Sequence, residues 1–141
     1  MRQSDVTVRM AKNQEDGPHV EAIMAKLDFF QWDDFKIDWS DIEPNWLVAE
    51  VDDEFVGCIQ VAPARPIGRI EILCVDPDLP QKATYLVAKA LIDQAVGTVK
   101  MYGAQAVSSM IPYRYADYLH GALNRDWVEI DDGAMVLRRL V

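Results

Sequence analysis

Three apolar runs separated by short turns constrain the fold of this chain more than any other feature. The alternation and the β-branched content predict strands at Trp46–Val51, at residues 55–62 and at Ile67–Val75. Residues 52–54 and 63–66 connect them, and connections this short join antiparallel neighbours. The sequence therefore predicts an antiparallel meander in the middle of the chain.

A stop and a long helix follow the meander. Residues 76–80 read Asp-Pro-Asp-Leu-Pro, and proline cannot donate to a strand ladder. Apolar residues then recur at helical spacing over residues 82–102, and Gly103 is placed to end that helix. The segment from Asp76 to Leu86, where the sheet leads into the longest helix, is where we expect the function to lie.

The flanking segments extend the pattern in both directions. The alternation in residues 6–10 predicts a strand, and residues 13–17 are expected to break it. Pro18 is expected to open a helix that ends near Leu27. Residues 28–45 combine aromatic and acidic side chains, which indicates short helical turns or a loop. A strand at 106–111, a helix at 112–124 and a hairpin of residues 127–130 and 134–140 complete the predicted order.

Size and charge narrow the classes of function. The 141 residues fit one domain spanning 1–141, large enough to bury a core without a disulfide or a metal. The net charge of -9 makes nucleic acid and anionic membranes poor partners, and it favours a cationic substrate or a basic protein. The alternative is that the acidity only keeps the domain soluble.

The cysteines and the N-terminus bear on the compartment. Cys58 and Cys74 lie in apolar runs without a C-x-x-C partner, so we expect buried, reduced thiols and no metal site. The first residues lack the apolar core of a secretion signal, and no apolar run has the length of a membrane span. These features predict a cytoplasmic protein.

The order of elements and four short motifs resemble the GNAT acyltransferases. Residues 46–50, Trp-Leu-Val-Ala-Glu, and residues 55–59, Phe-Val-Gly-Cys-Ile, are similar to the family's second and third strands. Residues 70–77 are similar to its fourth strand and end in Val-x-Pro, and residues 125–129 stand where the family often has Leu-Gly-Phe-x-Glu. The resemblance implies an α/β (α+β) fold, with a mixed, mostly antiparallel central sheet flanked by about four helices.

The same resemblance implies an N-acetyltransferase that transfers an acyl group from acetyl-CoA to a small amine or a protein amine. A homodimer is compatible with the resemblance. The compact chain is similar to the divergent acetyltransferase-like proteins that bacteriophages encode. Two alternatives stay open at this point: a non-catalytic GNAT-fold binding or structural protein that has lost acyl-CoA binding, and an unrelated α+β binding domain.

The family holds the coenzyme A diphosphate in a Gln/Arg-x-x-Gly-x-Gly/Ala loop, whose glycines let the backbone approach the phosphates. The corresponding stretch places Ala83 on the Gln/Arg and Leu86 on the central glycine, and no glycine lies between Gly68 and Gly97. Lys82 and Thr84 could add donors, whereas Tyr85 would crowd a diphosphate. The cofactor-binding residues that the resemblance implies here are Gln81, Lys82, Ala83, Thr84, Tyr85 and Leu86. The alternative is an ordinary helix start without a ligand.

The resemblance assigns the acyl carbonyl and the pantetheine arm to the backbone of Leu73, Cys74 and Val75. Glu71 is the candidate base, because burial in an apolar strand would raise its pKa and because period-2 alternation places it on the face of Leu73 and Val75. The alternative is a solvent-facing strand glutamate. Tyr118 is the candidate acid if its helix is shifted by one turn; otherwise it packs or lines a groove.

The acceptor pocket of the family usually lies in the segment that corresponds to residues 28–45. Its acidic side chains, together with Trp32 and Trp39, could hold a cation through charge and cation–π contact. The alternative is a solvated acidic loop anchored by its aromatic side chains.

Overall fold

The computed structural model describes residues 1–27, 46–110, 127–129 and 135–139. Two helices lie in this part of the chain, α1 (Asn13–Lys26) and α2 (Gln81–Met101), with a short 3-10 helix at Gln3–Asp5. The strands are β1 (Thr7–Met10), β2 (Trp46–Val51), β3 (Glu54–Ala62), β4 (Ile67–Val75), β5 (Ala106–Met110), β6 (Trp127–Glu129) and β7 (Met135–Arg139). They form one sheet in the order β1-β2-β3-β4-β5-β7-β6.

The predicted meander is confirmed. β2 pairs with β3 and β3 pairs with β4, both antiparallel, and the bounds of β2 and β4 are those expected from the sequence. The turn between β2 and β3 has Asp52 at φ 52° and Asp53 at φ 62°. Two consecutive positive φ angles are what a tight hairpin turn requires, and aspartate tolerates them better than most residues.

The sheet is mixed, as expected for the predicted fold class. β4 and β5 run parallel, and α2 makes the crossover between them. The remaining described pairs, including the C-terminal hairpin of β6 and β7, are antiparallel. The fold class is therefore α+β with a mostly antiparallel sheet.

In the part of the chain that the structure describes, one helix lies on each face of the sheet. The buried side chains of α2 pack on one face, where residues such as Ile59, Ile70 and Val75 meet them. On the other face α1 packs with Trp46, Cys58 and other side chains of alternate strand positions. The two faces thus have separate cores, and which core a strand residue joins shows which face it occupies.

Two glycines bring α2 close to the sheet. A Cβ added at Gly57 would lie 3.2 Å from the side chains of Val87 and Leu91 in α2, and 2.8 Å from the carbonyl oxygen of Cys74 in β4. One added at Gly68 would lie 2.7 Å from Cβ of Val99 in α2. These distances are shorter than side chains normally allow, so both positions need glycine for packing.

The predicted start of α1 is wrong. The helix begins at Asn13, and Pro18 lies inside it. The reason is a local cap: the N–H of Lys12 donates to Oδ2 of Asp16 at 2.6 Å, and the N–H of Asp16 donates to the carbonyl oxygen of Lys12 at 2.8 Å. These bonds stabilise a helical turn ahead of the proline. Pro18 has no N–H, so the helix lacks the one backbone hydrogen bond that this residue would donate.

The other end of α1, the long helix and the last strands follow the sequence prediction closely. Gly103 adopts φ +94° after the C-cap residue of α2, Tyr102, as a left-handed helix end requires. The helix predicted at residues 112–124 and the turns predicted at 28–45 lie outside the described residues. Neither described helix is long and apolar enough to cross a membrane. The single-domain span 1–141 and the cytoplasmic location stay predictions.

Candidate functional site

The parallel ladder between β4 and β5 stops before β4 does. Register pairs run from Ile67 with Ala106 to Ile70 with Ser109. β4 then continues from Glu71 to Val75, whereas β5 ends at Met110. Within the described residues, the edge of β4 that faces β5 has no strand partner beyond Ile70. We call this stretch the open edge because no described strand pairs with it. It is the centre of the candidate site, and its residues Leu73, Cys74 and Val75 are themselves 8%, 0% and 1% exposed.

A β-bulge lies at the point where the ladder stops. Glu71 pairs with Gln60 and Cys74 pairs with Cys58, so Ile59 alone faces both Ile72 and Leu73. Ile72 has φ 53°, a strained value for a β-branched residue. A bulge of this kind adds one residue to a strand and bends it. It therefore separates the part of β4 that pairs with β5 from the part that does not.

The bulge overturns the predicted face of Glu71. Leu73 and Val75 belong to the core under α2, whereas Glu71 lies opposite Gln60, on the face that Cys58 shares with α1. The extra residue shifts the alternation, so the period-2 argument fails between Glu71 and Leu73.

The predicted burial of Glu71 is also wrong. Its side chain is 35% exposed, and its Oε1 lies 3.9 Å from Nη1 of Arg69. The carboxylate is therefore partly exposed and lies beside a cation. Its role as a base stays a prediction.

Alternation along the unpaired part of β4 orients its backbone groups. The N–H of Asp76 donates to the carbonyl oxygen of Val56 at 2.8 Å, so Asp76 faces β3. The Cys74 carbonyl oxygen also faces β3, since it lies 2.8 Å from the position of a Cβ at Gly57. By alternation the backbone groups of Leu73 and Val75 point to the β5 side. Of the three backbone positions implied by the resemblance, these two face the open edge.

The two cysteines lie in the interior of the protein. Cys58 and Cys74 are both 0% exposed and are free thiols, as expected from the sequence. Burial raises the pKa of the Cys58 thiol, and the neighbouring Cys74 raises it further. A thiol held in its neutral form is a poor nucleophile, so Cys58 is not a candidate for covalent catalysis. The complete burial of Cys74 keeps its sulfur from a substrate.

The loop after β4 is a short turn with hydrogen bonds of its own. Oδ1 of Asp76 accepts the N–H of Asp78 at 3.0 Å, and the carbonyl oxygen of Asp76 accepts the N–H of Leu79 at 3.2 Å. Pro77 and Pro80 fix two further backbone torsions. The loop therefore owes its shape to an aspartate turn and two prolines, with no glycine.

The helix α2 begins at Gln81 and has no side-chain cap at Pro80. The first intrahelical bond is the one that the N–H of Thr84 donates to Pro80, at 2.9 Å. Lys82 and Ala83 precede that bond, so their amides lie at the helix N-terminus. Leu86, which the resemblance aligns with the family's central glycine, lies in the second turn, where its N–H is used within the helix.

An ion pair joins this loop to the end of α1. Nζ of Lys26 lies 3.0 Å from Oδ2 of Asp78 and 3.6 Å from Oδ1 of Asp76. The hydrogen bond to Asp78 and the charge of Asp76 raise the pKa of Lys26. Lys26 was not among the residues that the sequence singled out. The sequence gives one indication of this role: Lys26 is the basic residue in the last turn of α1. Its partners, Asp76 and Asp78, lie far from it along the chain.

Other predicted site residues fall outside the described part of the chain. Tyr118 and the acidic and aromatic residues of 28–45 are among them. Thr84 is within it and uses its hydroxyl on the carbonyl oxygen of Pro80 at 3.2 Å. Among the described side chains, no group of three or more His, Cys, Asp or Glu could hold a metal ion.

Comparison with known proteins gives matches among solved structures only. No protein-family model matches the chain. No curated protein matches it either.

The chain is similar to N-acetylglutamate synthase from Neisseria gonorrhoeae, solved with coenzyme A and N-acetyl-glutamate, with a TM-score of 0.75 and 15% identity over 96% of this chain. It spans only 35% of the length of that synthase. It also matches a GNAT-family acetyltransferase from Staphylococcus aureus, with a TM-score of 0.71 and 16% identity over 96% of this chain and 99% of that one. A third match is yncA of Salmonella typhimurium, a putative acetyltransferase solved with acetyl-CoA: its TM-score is 0.69, at 15% identity, over 97% of this chain and 95% of that one.

Proposed function

We propose that this chain, which has the GNAT acetyltransferase fold, is an N-acyltransferase that moves an acyl group from an acyl-CoA thioester to an amine. The observation that carries the proposal is the edge of β4 beside β5, open from Glu71 to Val75 in the described residues. An extended thioester arm can lie along such an edge and hydrogen-bond to its backbone as an added strand would.

The reaction needs few groups from the protein. The amine nitrogen attacks the thioester carbonyl carbon, a C–N bond forms, and the C–S bond breaks as the thiolate leaves and takes up a proton. The amine loses its proton to a base. In this proposal a backbone N–H of Leu73 or Val75 donates to the carbonyl oxygen, where negative charge develops in the transition state.

Glu71 is the proposed base and Tyr118 the proposed acid. The exposure of Glu71 favours transfer of the proton through water. A pH–rate profile of Glu71→Gln tests the role: the alkaline-side activity should fall by about a hundredfold, and the limb that reports the base should disappear. The matched control is Glu54→Gln, at the exposed start of β3, which should keep the parent profile. An unchanged profile for Glu71→Gln would remove it as the base.

The acceptor in this proposal is a small amine or a protein amine. An ammonium group is attracted by the net charge of -9, which repels anionic acceptors. Acetyl-CoA is the proposed donor. The open edge of β4 suits its pantetheine arm, whereas the glycine-free loop before α2 is a poor fit for its diphosphate.

That poor fit favours a second candidate function. The chain could be a GNAT-fold binding or structural protein, of the kind that phages encode, which no longer binds acyl-CoA. Leu86 at the family's glycine position is the specific observation in its favour.

Thiol release separates the two functions. The purified protein is incubated with acetyl-CoA and a panel of amines that includes diamines, amino acids and lysine peptides. The acyltransferase proposal predicts thiol release that depends on the amine and an acetylated product of matching mass. Hydrolysis at the background rate with every amine would contradict it and support the binding protein.

A further inference from the structure

We infer that this protein recognises its thioester donor through the pantetheine arm alone, so that pantetheine thioesters without the nucleotide serve as well as those of coenzyme A. This inference rests on the proposed function and names the donor class that the site selects. Three observations lead to it: the shape of the loop before α2, the charges on that loop, and the neutral character of the β4 edge.

The loop from Asp76 to Pro80 cannot wrap a diphosphate with its backbone. Its amides are already used, because Asp78 donates to the side chain of Asp76 and Leu79 donates to the carbonyl oxygen of Asp76. The prolines at 77 and 80 have no N–H to offer. A backbone cradle for phosphate needs several free amides and close approach of the chain, and this loop supplies neither.

The charges on the loop oppose a polyanion. Asp76 and Asp78 come immediately before α2, and a diphosphate at the helix N-terminus would lie beside them. The cation that could offset them, Lys26, is already paired with both carboxylates. In the described loop and the first turn of α2, Lys82 is the remaining cation, in a protein whose net charge is -9. An approaching phosphate therefore meets a neutral or negative surface at short range and a negative field at long range.

The N-terminus of α2 compensates for little of this. The helix dipole favours an exposed anion by only a small factor, of roughly two- to fivefold in affinity. Leu86 and Tyr85, which stand at the family's phosphate-loop positions, are partly buried in the second turn. They present side chains where a cradle would present backbone.

At Leu73 and Val75 the edge of β4 has none of these obstacles. The carboxylate at the start of that edge, Glu71, lies 3.9 Å from Nη1 of Arg69. The backbone groups of Leu73 and Val75 point to its open side, and both side chains are buried in the α2 core. The pantetheine arm is uncharged and carries amides that match a strand edge. An acidic protein can bind that arm without an electrostatic penalty, which is why we assign donor recognition to the arm.

Titration of the 15N-labelled protein by NMR tests the inference. Coenzyme A and pantetheine are titrated separately, and dissociation constants are fitted from the amide shifts of residues 72–76. The inference predicts constants within about tenfold of each other, since the helix terminus alone adds only a small factor. Coenzyme A binding more than about tenfold tighter would overturn it, and so would the absence of binding by both ligands.

Charge removal gives an independent reading of the same surface. In Asp76→Asn/Asp78→Asn the loop keeps its shape, because asparagine retains the Oδ1 acceptor, while Lys26 loses both charged partners. Coenzyme A should then bind about fivefold tighter with pantetheine unchanged. The matched control is Asp53→Asn, on the other acidic turn, which should alter neither constant. Equal effects of the control and the double variant would contradict the local-charge argument.

Failure of the inference can be told from failure of the proposed function. Binding of both ligands at the β4 edge, with no amine-dependent thiol release from any donor, would contradict the acyltransferase and support arm-only recognition. Turnover with acetyl-CoA but not with acetyl-pantetheine would support the acyltransferase and overturn the inference.

Discussion

The two ends of α1 are held by different kinds of ion pair. At its start, Arg9 on β1 makes two bonds to Asp16, at 2.7 and 2.9 Å, and also binds Glu50 on β2 at 2.7 Å. Asp16 is only 3% exposed. At its end, the side chain of Lys26 is 49% exposed and that of its partner Asp78 is 77% exposed.

The difference separates what holds the fold from what shapes the site. A bidentate pair in which the carboxylate is buried and both its oxygens are used is costly to break, whereas an exposed pair contributes little to stability and is screened by salt. The start of α1 is therefore a structural anchor. The end of α1 reaches the loop that precedes α2, and there the contact sets local charge and loop position instead of stability.

The largest effect on stability is expected from replacing aspartate by asparagine at the start of α1. The same replacement in the loop that pairs with the end of α1 is the comparison. Asp16→Asn should lower the free energy of unfolding by about 2–4 kcal/mol, because it leaves Arg9 beside a buried group that no longer balances its charge. Asp78→Asn should leave the unfolding midpoint unchanged. Chemical denaturation with urea measures both. A small effect at Asp16, or a comparable effect at both positions, would break the distinction between the two ends.

Lowering the pH should remove the stabilising contribution of Asp16 in the parent protein as well. Burial acts to raise the pKa of Asp16, but the hydrogen bonds from Arg9 and from the Lys12 N–H outweigh it, and the pKa lies below its ordinary value. A carboxyl with a lowered folded pKa stabilises the protein fully above its unfolded pKa of about 3.9, and that contribution is lost as the pH falls through the folded pKa.

The stability gap between the parent protein and Asp16→Asn should therefore be constant near neutral pH and should narrow below about pH 4. Urea unfolding at a series of pH values measures it. A gap that stays constant down to the acid unfolding transition would show that the charge of Asp16 does not supply the stability.

The smallest effect on stability is expected at Lys26. Lys26→Gln should keep the unfolding midpoint and speed amide hydrogen exchange at Asp78 and Leu79, because the loop loses its tie to α1. Lys89→Gln is the control: it removes an exposed pair with Asp93 within α2 and should leave the loop amides unchanged. Unaltered exchange in Lys26→Gln would mean that the prolines and the Asp76 turn alone fix the loop.

Much of the sheet could be predicted from the sequence, because its signals are local. The alternation in Trp46–Val51 and the two aspartates after it determine a hairpin whichever elements surround it. The glycine at 103 ends α2 for an equally local reason. The fold resemblance followed from the order of these elements, and the similarity to solved acetyltransferases agrees with it.

The details of the site were less predictable, because they depend on contacts between distant residues. The bulge at Ile72 is visible only in the register of β4 against β3, and it moved Glu71 to the opposite face. The start of α1 depends on Arg9 and on the side chain of Asp16 reaching back to Lys12. The pairing of Lys26 with the loop joins residues 26 and 78, which no sequence pattern relates.

A crystal structure of the protein with acetyl-CoA tests the central claim most directly. We expect the pantetheine arm to lie between β4 and β5, in hydrogen-bonding contact with the backbone of Leu73 and Val75, with the thioester carbonyl at that edge. A donor bound elsewhere on the protein, or a protein strand paired with this edge in its place, would contradict the proposed acyltransferase site.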